Sequence, residues 1–394
     1  MLASIPSLLL LAGGAFAAPA MVVGTTGALP VVTGADVVWA QRGVRASLAV
    51  QLRLEASDGP VAIVVASPSP VADVDARVLP SAWFERLDRA TAPRRVELVC
   101  AAPAVAGLAA PAGASPGAMG AARSAAITDA LEADGFVVPA AARAVLLRQA
   151  VLGAQFAVVH VDPAAQRQDG DGWVLPPVQV RYESRDAVLP LALGAANQRG
   201  SQELILHVLA DAPKAVGNRP GAVASVHGHR LNDEGGAARY DAWFDREQVA
   251  QPGMVAIEHV VVSPRDGVGL DAAALDALGW GWIGDGEAAG APPAHTRLHL
   301  RLPEGDPRAA LVLVDAPPPA ADALGPNLLL RGVAREAGEP CSASVAEVLV
   351  ERATGAARRP DRRWSLGCAV SPSASAGVWM GLAAFGLRFA RRSR

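Results

Sequence analysis

The chain has 394 residues and a formal net charge of −3, and aromatic side chains make up 4% of it. A near-neutral charge gives no general attraction for nucleic acid, and so few aromatic rings give no platform on which bases would stack. Lys214 is the only lysine, so nearly every positive charge belongs to an arginine. The length fits one large domain or two ordinary ones, and the composition predicts no nucleic-acid partner.

Residues 1–17 have the pattern of a secretory signal peptide. Leu8–Leu11 form an apolar centre, and Ala15-Phe16-Ala17 fits the small-x-small cleavage pattern, which predicts processing at Ala17. A basic start is missing, because the first positive side chain is Arg42. An ordinary apolar N-terminus is the alternative.

Residues 18–100 are predicted to form the N-terminal, strand-rich part of the main domain. Val44–Leu54 alternates apolar and polar side chains, which is the period of a half-buried strand. Together with residues 36–41 it predicts an antiparallel hairpin. A short helix over Ala82–Ala90 follows, because Trp83 and Leu87 lie four residues apart and would share its buried face.

Residues 101–120 are mostly Ala, Gly and Pro. They offer too little apolar side chain to bury, which predicts a flexible insertion. The remainder of the main domain, residues 121–315, begins with two predicted helices.

The stretch Val178–Leu209 reads as the middle of a sheet. Its first strand alternates polar and apolar side chains, and Leu189, Leu191 and Leu193 fall on one face of a second strand. Pro190 cannot donate a backbone hydrogen bond, so that strand is expected at an edge or a bulge. The nearly unbroken apolar run up to Leu209 predicts a strand covered on both faces.

Residues 212–240 are polar and are predicted to be irregular. Strands are then predicted over Met254–Val262, Leu298–Leu302 and Leu311–Val314, the last of these being the final strand. Residues 316–367 are expected to be linker and tail. The pattern favours a β-rich α+β fold with mainly antiparallel sheets, a few short helices and the Ala/Gly/Pro insertion.

The C-terminal segment, residues 368–394, carries a second targeting pattern. Gly367-Cys368 precedes a spacer, then an uncharged and largely apolar run over 374–387, then an arginine-rich end. A membrane span needs roughly 20 apolar residues, so this run is short. The arrangement resembles the C-terminal sorting signals of myxobacterial surface proteins, which implies processing at Cys368 and attachment to the cell surface. Contact with the membrane through this segment, before or instead of processing, is expected, and an amphipathic end helix packed on the domain is the alternative.

The cysteines are Cys100, Cys341 and Cys368. If Cys368 belongs to the sorting signal, Cys100 and Cys341 remain for a disulfide in an oxidising compartment. The sequence does not establish the pairing, and two unrelated free thiols are an equal alternative.

Two glycine motifs lack the context that their chemistry requires. Gly113-Ala114-Ser115-Pro116-Gly117 matches the nucleophile-elbow spacing, but it lies in the insertion, and proline has no N–H for an oxyanion hole. Gly279–Gly284 matches the dinucleotide spacing G-x-G-x-x-G, but it follows a predicted helix and carries bulky tryptophans. The second is predicted to be a turn that packs the tryptophans.

Histidines are the candidate metal ligands. In an extended segment His227 and His229 would lie on one face and could bind a metal there, but a solvated loop is the preferred interpretation. His295 and His299 share a face with Arg297 and Arg301, whose charges would oppose a cation, so a polar face is predicted instead.

Two acidic sequences complete the candidates. Asp169-Gly170-Asp171-Gly172 lacks the remaining calcium-loop ligands and predicts a turn. Glu258 interrupts an apolar strand, so it requires a partner or a raised pKa. Arg297 or Arg301 would supply that partner, and a structural ion pair is favoured over a general base.

Several weak motifs follow one another in an order that resembles a family of secreted bacterial proteins known as a domain of unknown function (DUF2330). The resemblance runs from about residue 20 to 315 and rests on the order of the motifs. The motifs are Trp83–Asp88, Thr91–Pro93, Leu131–Phe136, Gln155-Phe156, Val174–Pro177, Arg181–Ser184, Leu189–Leu191, Gly194–Asn197, Ile257-Glu258 and Thr296–His299. It implies an exported protein and carries over no catalytic residue.

The sequence therefore predicts an exported, surface-attached binding or envelope component without catalytic residues, cofactor or metal. The alternative is a metal-dependent hydrolase that uses His227 and His229. The ligand and partners stay unknown at this point.

Overall fold

The fold is built on an antiparallel hairpin formed by β2 (Val32–Arg42) and β3 (Arg45–Leu54). A computed structural model provides the coordinates, and it describes residues 18–71, 75–92, 94–99, 121–122, 124–223, 236–261, 272–283, 294–306, 310–316, 329–333 and 346–352. The tight turn takes Gly43 at a φ of 58°, a left-handed conformation that glycine adopts without strain. The predicted hairpin is confirmed.

The hairpin lies inside a sheet of ten described strands. The order is β15-β16-β17-β13-β2-β3-β10-β9, with β11 pairing both β3 and β5. Most pairs are antiparallel, and β13 with β2 and β15 with β16 are parallel. The added strands are β5 (Ala76–Val78), β9 (Arg167–Asp169), β10 (Gly172–Val174), β11 (Val178–Glu183), β13 (Gln202–Ala210), β15 (Gly221–Val223), β16 (Val255–Val261) and β17 (Ala294–Leu302).

A smaller antiparallel sheet packs face to face on this one. Its described strands, in the order β1-β4-β8-β7, are β1 (Ala20–Gly24), β4 (Val61–Ser67), β8 (Gln155–Val161) and β7 (Ala121–Ala122). Leu48, Leu206 and Leu298 of the large sheet share one buried cluster with Ile63 and Val159 of the small sheet. This sandwich is the main apolar core.

Helices cover the two outer faces. On the small sheet, α2 (Ser124–Ala133) and α3 (Ala140–Val151) pack Ile127 and Leu146 against Phe156. On the large sheet, α1 packs Phe84 and Leu87 beside Trp280 of α6. The helices on that face are α1 (Ala82–Thr91), α4 (Gly236–Ala250), α5 (Ala272–Ala277) and α6 (Trp280–Ile283). The described chain therefore has helix, sheet, sheet and helix layers.

One asparagine side chain, that of Asn197, hydrogen-bonds the backbone at the edge of β1 that no strand pairs in the described residues. Asn197 ends a 3-10 helix over Ala192–Asn197, and its amide accepts a hydrogen bond from Val22 N at 2.9 Å and donates to Val22 O at 2.7 Å. The side chain thus takes the place of a neighbouring strand. Gly194 in the same turn lies so close to Ala18 that a Cβ would stand 2.1 Å from its backbone nitrogen, which requires glycine there.

Additional strands form two small sheets in the described chain. One has the order β12-β18-β14, and the other has the order β19-β6-β20. Their bounds are β6 (Arg94–Val99), β12 (Val188–Pro190), β14 (Lys214–Val216), β18 (Ala310–Asp315), β19 (Leu329–Val333) and β20 (Ala346–Arg352).

Three local predictions are wrong. The strand through Leu189 ends at Pro190, because the chain then turns into the 3-10 helix that caps β1. Residues 212–240 were expected to be irregular, but they include β14, β15 and the start of α4. The last strand was expected near Val314, but β19 and β20 lie beyond it and pair with β6.

The β-rich α+β class with mainly antiparallel sheets is confirmed. Asp169-Gly170-Asp171-Gly172 is the turn between β9 and β10, as predicted. Within the motif Gly279–Gly284, Gly279 follows α5 and Trp280–Ile283 form α6, a short helix instead of the predicted turn, and Gly284 falls outside the described residues. A helix before Gly279 excludes the strand-to-helix context of a dinucleotide site. No helix within the described ranges is both long and apolar enough to cross a bilayer.

Candidate functional site

A buried polar cluster lies on the face of the large sheet that α1 and α4 cover. Alternation along β17 places His295, Arg297 and His299 on this face and turns Leu298 and Leu300 into the sandwich core. All three polar residues are at most 4% exposed. The strand therefore buries both of its faces, one apolar and one polar.

A β-bulge adds the acidic member of the cluster. Ile257 pairs with Leu298 and His259 pairs with Arg297, so Glu258 is an extra residue in β16. Consecutive strand residues normally point to opposite faces, but a bulge redirects one of them. Glu258 and His259 consequently both meet the polar face, where they contact Arg297, His299 and His295.

Arg297 is the centre of the cluster. Its Nε donates to Glu258 Oε2 at 2.6 Å, and its Nη1 lies 2.7 Å from Asp88 Oδ1 of α1. The same Nη1 donates to Thr91 Oγ1 at 3.4 Å. Glu258 Oε1 also lies 3.0 Å from His299 Nδ1. Because the guanidinium joins β16 and β17 to α1, these contacts fix the helix on the sheet.

The electrostatics follow from this burial. Burial alone lowers the pKa of Arg297, but Asp88 and Glu258 outweigh it and raise the pKa above its ordinary value. The guanidinium is therefore permanently charged. Such a cation pairs well with carboxylate oxygens, which accept its hydrogen bonds.

Two histidines of this face, His207 and His295, are neutral. His207 Nδ1 lies 3.1 Å from His295 Nε2, a distance at which one ring nitrogen donates and the other accepts. Burial holds the pKa of both rings well below the ordinary value, and Arg297 and His259 lower it further. Adding a proton to either ring would place a buried charge beside the Arg297 cation, and at His207 the Glu258 carboxylate offsets only part of that cost.

A second row of charges continues towards the rim of the same face. Arg301 Nη2 donates to Glu203 Oε1 at 3.0 Å, and Arg301 also pairs with Asp245 of α4. Phe244 lies flat on the His299 ring, with 4.1 Å between centroids and 11° between planes. These contacts hold α4 against the sheet.

Arg53 of β3 extends this row across the sheet. Burial acts to raise the pKa of Glu203, but His299, Arg301 and Arg53 outweigh it and lower the pKa. Arg53 Nη1 itself pairs with Asp36 Oδ2 at 2.7 Å. Gly34 lies beneath it, and a Cβ there would stand 2.7 Å from Arg53 Nη2, so a larger residue would displace the guanidinium. The polar face is thus one network from β16 to β3.

The chemistry open to this cluster is limited by access. A general base must reach the proton it removes, and Glu258 is 0% exposed with Arg297 on one oxygen and His299 on the other. In the part of the chain that the structure describes, no three His, Cys, Asp or Glu side chains converge in a way that would hold a metal ion. The arrangement fits an ion-pair network that holds helices on a sheet.

Two surface cavities lie away from the cluster in the described residues. One, of about 260 Å³, is bordered by Thr33, Glu55 and Asp169 near the β9–β10 turn. The other, of about 300 Å³, is bordered by Thr25, Glu55 and Arg199 at one end of the sandwich. The first touches the network only at its rim, through Arg53, and neither is lined by Glu258, Arg297 or His299.

Sequence reasoning located part of this site. The predicted ion pair of Glu258 is confirmed, and of the two arginines offered it is Arg297 that forms it. His295, His299 and Arg297 share a polar face as predicted.

His207, His259, Asp88 and Thr91 were missed. His207 interrupts the apolar run of β13 directly opposite Arg297, and that pairing is the signal that would have identified it.

Other predicted site residues fall outside the described residues. These are the metal candidates His227 and His229, the cysteines Cys100, Cys341 and Cys368, the processing position Ala17 and the motif Gly113–Gly117. The insertion 101–120 and the apolar run 374–387 fall outside them too.

Comparison with known proteins gives one match. Residues 117–226 match a family model described as "Uncharacterized protein conserved in bacteria (DUF2330)". No curated protein and no solved structure matches the chain. The matched segment contains α2, α3, β8 and β13 but ends before Glu258 and Arg297. Residues 117–226 therefore resemble an uncharacterised domain conserved in bacteria.

Proposed function

We propose that this chain is an exported, surface-attached protein that serves as a binding or envelope component and has no enzymatic activity. The observation that carries the non-enzymatic part is the state of Glu258. This carboxylate is fully buried and paired with Arg297 and His299, so the strongest acid–base candidate in the described chain holds the fold together.

Export and attachment are supported by the two ends of the sequence. Residues 1–17 have an apolar centre followed by a small-x-small site, and the run 374–387 is followed by arginines. Arginines that follow an apolar segment stay on the cytoplasmic side, which would leave the main domain outside.

Surface protease digestion of intact cells tests this role. We expect the full-length protein to be digested, and a truncation that ends before Cys368 to be released into the medium. An intracellular protein of known location, probed on the same blot, controls for cell lysis. Recovery of the uncut chain from the cytosol would contradict the proposal.

Metal analysis of the purified protein tests the non-enzymatic half. We expect no stoichiometric zinc in the wild type or in the double variant His227→Ala/His229→Ala. Zinc at one equivalent in the wild type that is lost in the double variant would favour a metal-dependent hydrolase.

A further inference from the structure

Arginines gather beside Trp282, at the other end of the helix-covered face from the buried cluster. Strand pairing brings them together, since Arg181 of β11 stands opposite Ser47 and Arg77 of β5 stands opposite Gln179. The Cζ atoms of Arg45 and Arg181 lie 5.7 and 5.8 Å from the centroid of the Trp282 ring, which is within cation–π range. The ring is only partly buried.

Two of the arginines in this region, Arg77 and Arg45, donate hydrogen bonds within the protein. Arg77 donates from Nε to Gln179 Oε1 at 2.7 Å and from Nη2 to Ala277 O at 3.0 Å. Arg45 Nη1 donates to Trp282 O at 3.3 Å. Both therefore satisfy carbonyl groups at the C-terminal ends of α5 and α6, where cations are favourable.

Arg181 is different. Its Nε is buried and has no hydrogen-bond partner within the described ranges. Apart from the Trp282 ring, none of the described residues pairs with its guanidinium. Its Nη atoms are not among the buried ones, so they remain available to an anion from solution.

The neighbouring carboxylates do not compensate it. Asp75 and Asp276 act on Arg181 from a distance, and Glu183 follows two residues later on the same strand face. Burial lowers the pKa of Arg181, the Arg77 charge lowers it further, and Asp75 and Asp276 recover only part of the shift. The carboxylates among the described residues therefore offset only part of the cost of burying the Arg181 charge.

We propose that Arg181 and Arg77 bind the phosphate group of a phosphorylated small molecule or glycan, with its organic part lying on Trp282. A guanidinium presents a fork of donors that matches phosphate oxygens, and two neighbouring arginines suit a dianion better than a single carboxylate. The exposed part of the Trp282 ring offers an apolar surface next to the charges. This site goes beyond the proposed function, and surface digestion does not depend on it.

Calorimetric titration of the purified protein at low salt tests the site. The probes are inorganic phosphate and glucose 1-phosphate. We expect both to bind and glucose 1-phosphate to bind several-fold more tightly, because only it reaches Trp282. Arg181→Gln should weaken both by roughly tenfold or more, since charge-assisted hydrogen bonds are lost. Trp282→Ala should remove the preference for glucose 1-phosphate and keep the binding of inorganic phosphate.

Arg199→Gln is the matched control, because Arg199 is an exposed arginine at the end of the sandwich. It should bind both probes as the wild type does. Since Arg181 forms no ion pair with the residues that the structure describes, Arg181→Gln should also keep or slightly raise the Tm. No detectable binding at about 10 mM phosphate, equal binding by Arg181→Gln, or a large drop in its Tm would each overturn the proposal.

Discussion

The two faces of the large sheet are buried equally deeply but by opposite chemistry. Leu298 on the sandwich side is 0% exposed, and Arg297, the next residue on the helix side, is 1% exposed. The sandwich side meets another sheet of aliphatic side chains, whereas the helix side meets Asp88 and the aromatic ring of Phe244. Depth therefore does not decide which residue types a strand buries.

The difference shows two ways of attaching a layer. Apolar burial contributes roughly 25 cal/mol per Å² but has no direction, so it allows small shifts between the layers. A buried, hydrogen-bonded ion pair contributes less net energy after desolvation but allows only a narrow range of geometries. We infer that the Arg297 contacts fix where α1 sits, and that the sandwich core supplies most of the stability.

The largest expected effect comes from removing the buried acid. Glu258→Gln takes away one of the two charges that balance Arg297, and a buried pair broken in this way costs about 3–5 kcal/mol. Urea unfolding measures the change in the free energy of unfolding. The exposed Asp162→Asn serves as control and should change it by no more than about 0.5 kcal/mol. A loss below about 1 kcal/mol for Glu258→Gln would mean that the pair does not form.

Shortening a side chain on the apolar face should leave a cavity in the core. Leu206→Ala removes a fully buried side chain from the sandwich, and such changes cost about 2–5 kcal/mol. Because Leu206 packs among the apolar side chains of the sandwich core, on the opposite face from the histidines, the loss should be the same at pH 7.5 and pH 5.5. A strongly pH-dependent loss would show that the two faces are coupled.

Acid should act through the polar face. Burial lowers the pKa of His207 and His295 below 6.5, so the unfolded chain binds more protons as the pH falls. Stability is then complete above about pH 6.5 and decreases below it, by up to about 1.4 kcal/mol per pH unit for each ring. Tm measured between pH 7.5 and 5 should fall accordingly.

Two variants sharpen the acid experiment. His207→Gln should reduce the slope of Tm against pH, because one imidazole fewer takes up a proton when the chain unfolds. Ile205→Val, on the same strand and face, should lower the Tm by the same amount at every pH. An unchanged slope in His207→Gln would assign the acid sensitivity to other groups.

The smallest effect is expected at the rim of the polar face. Asp36→Asn removes the partner of Arg53, but both side chains are more than one-fifth exposed, at 24% and 22%. Solvent screens such a pair, so the loss should be about 1 kcal/mol or less, and it should shrink further in 0.5 M salt. A loss as large as that of Glu258→Gln would show that rim and centre act as one unit.

The sequence predicted the strands whose pattern is simple. Val44–Leu54 alternates cleanly, and its hairpin with β2 is confirmed. Glu258 stood out because a carboxylate in an apolar run requires a partner, and the arginine that provides it was among those considered.

The rest depended on contacts between distant parts of the chain. The pairing of β19 and β20 with β6 joins segments more than 200 residues apart, and no local pattern encodes it. Asp88 reads as an ordinary exposed residue of a helix until α1 is placed on the sheet. The bulge at Glu258 is set by its register with β17, so alternation alone would have turned this residue away from Arg297.

A double-mutant cycle on Glu258 and Arg297 tests the central claim most directly. Unfolding free energies are measured for Glu258→Gln, Arg297→Met and the double variant. We predict that each single change costs about 3–5 kcal/mol and that the double variant loses at least 2 kcal/mol less than their sum, because neither Glu258 nor Arg297 is then left buried without the other. Asp88 loses Arg297 both in Arg297→Met and in the double variant, so its contribution cancels in the cycle. Losses that add within about 0.5 kcal/mol would contradict the account.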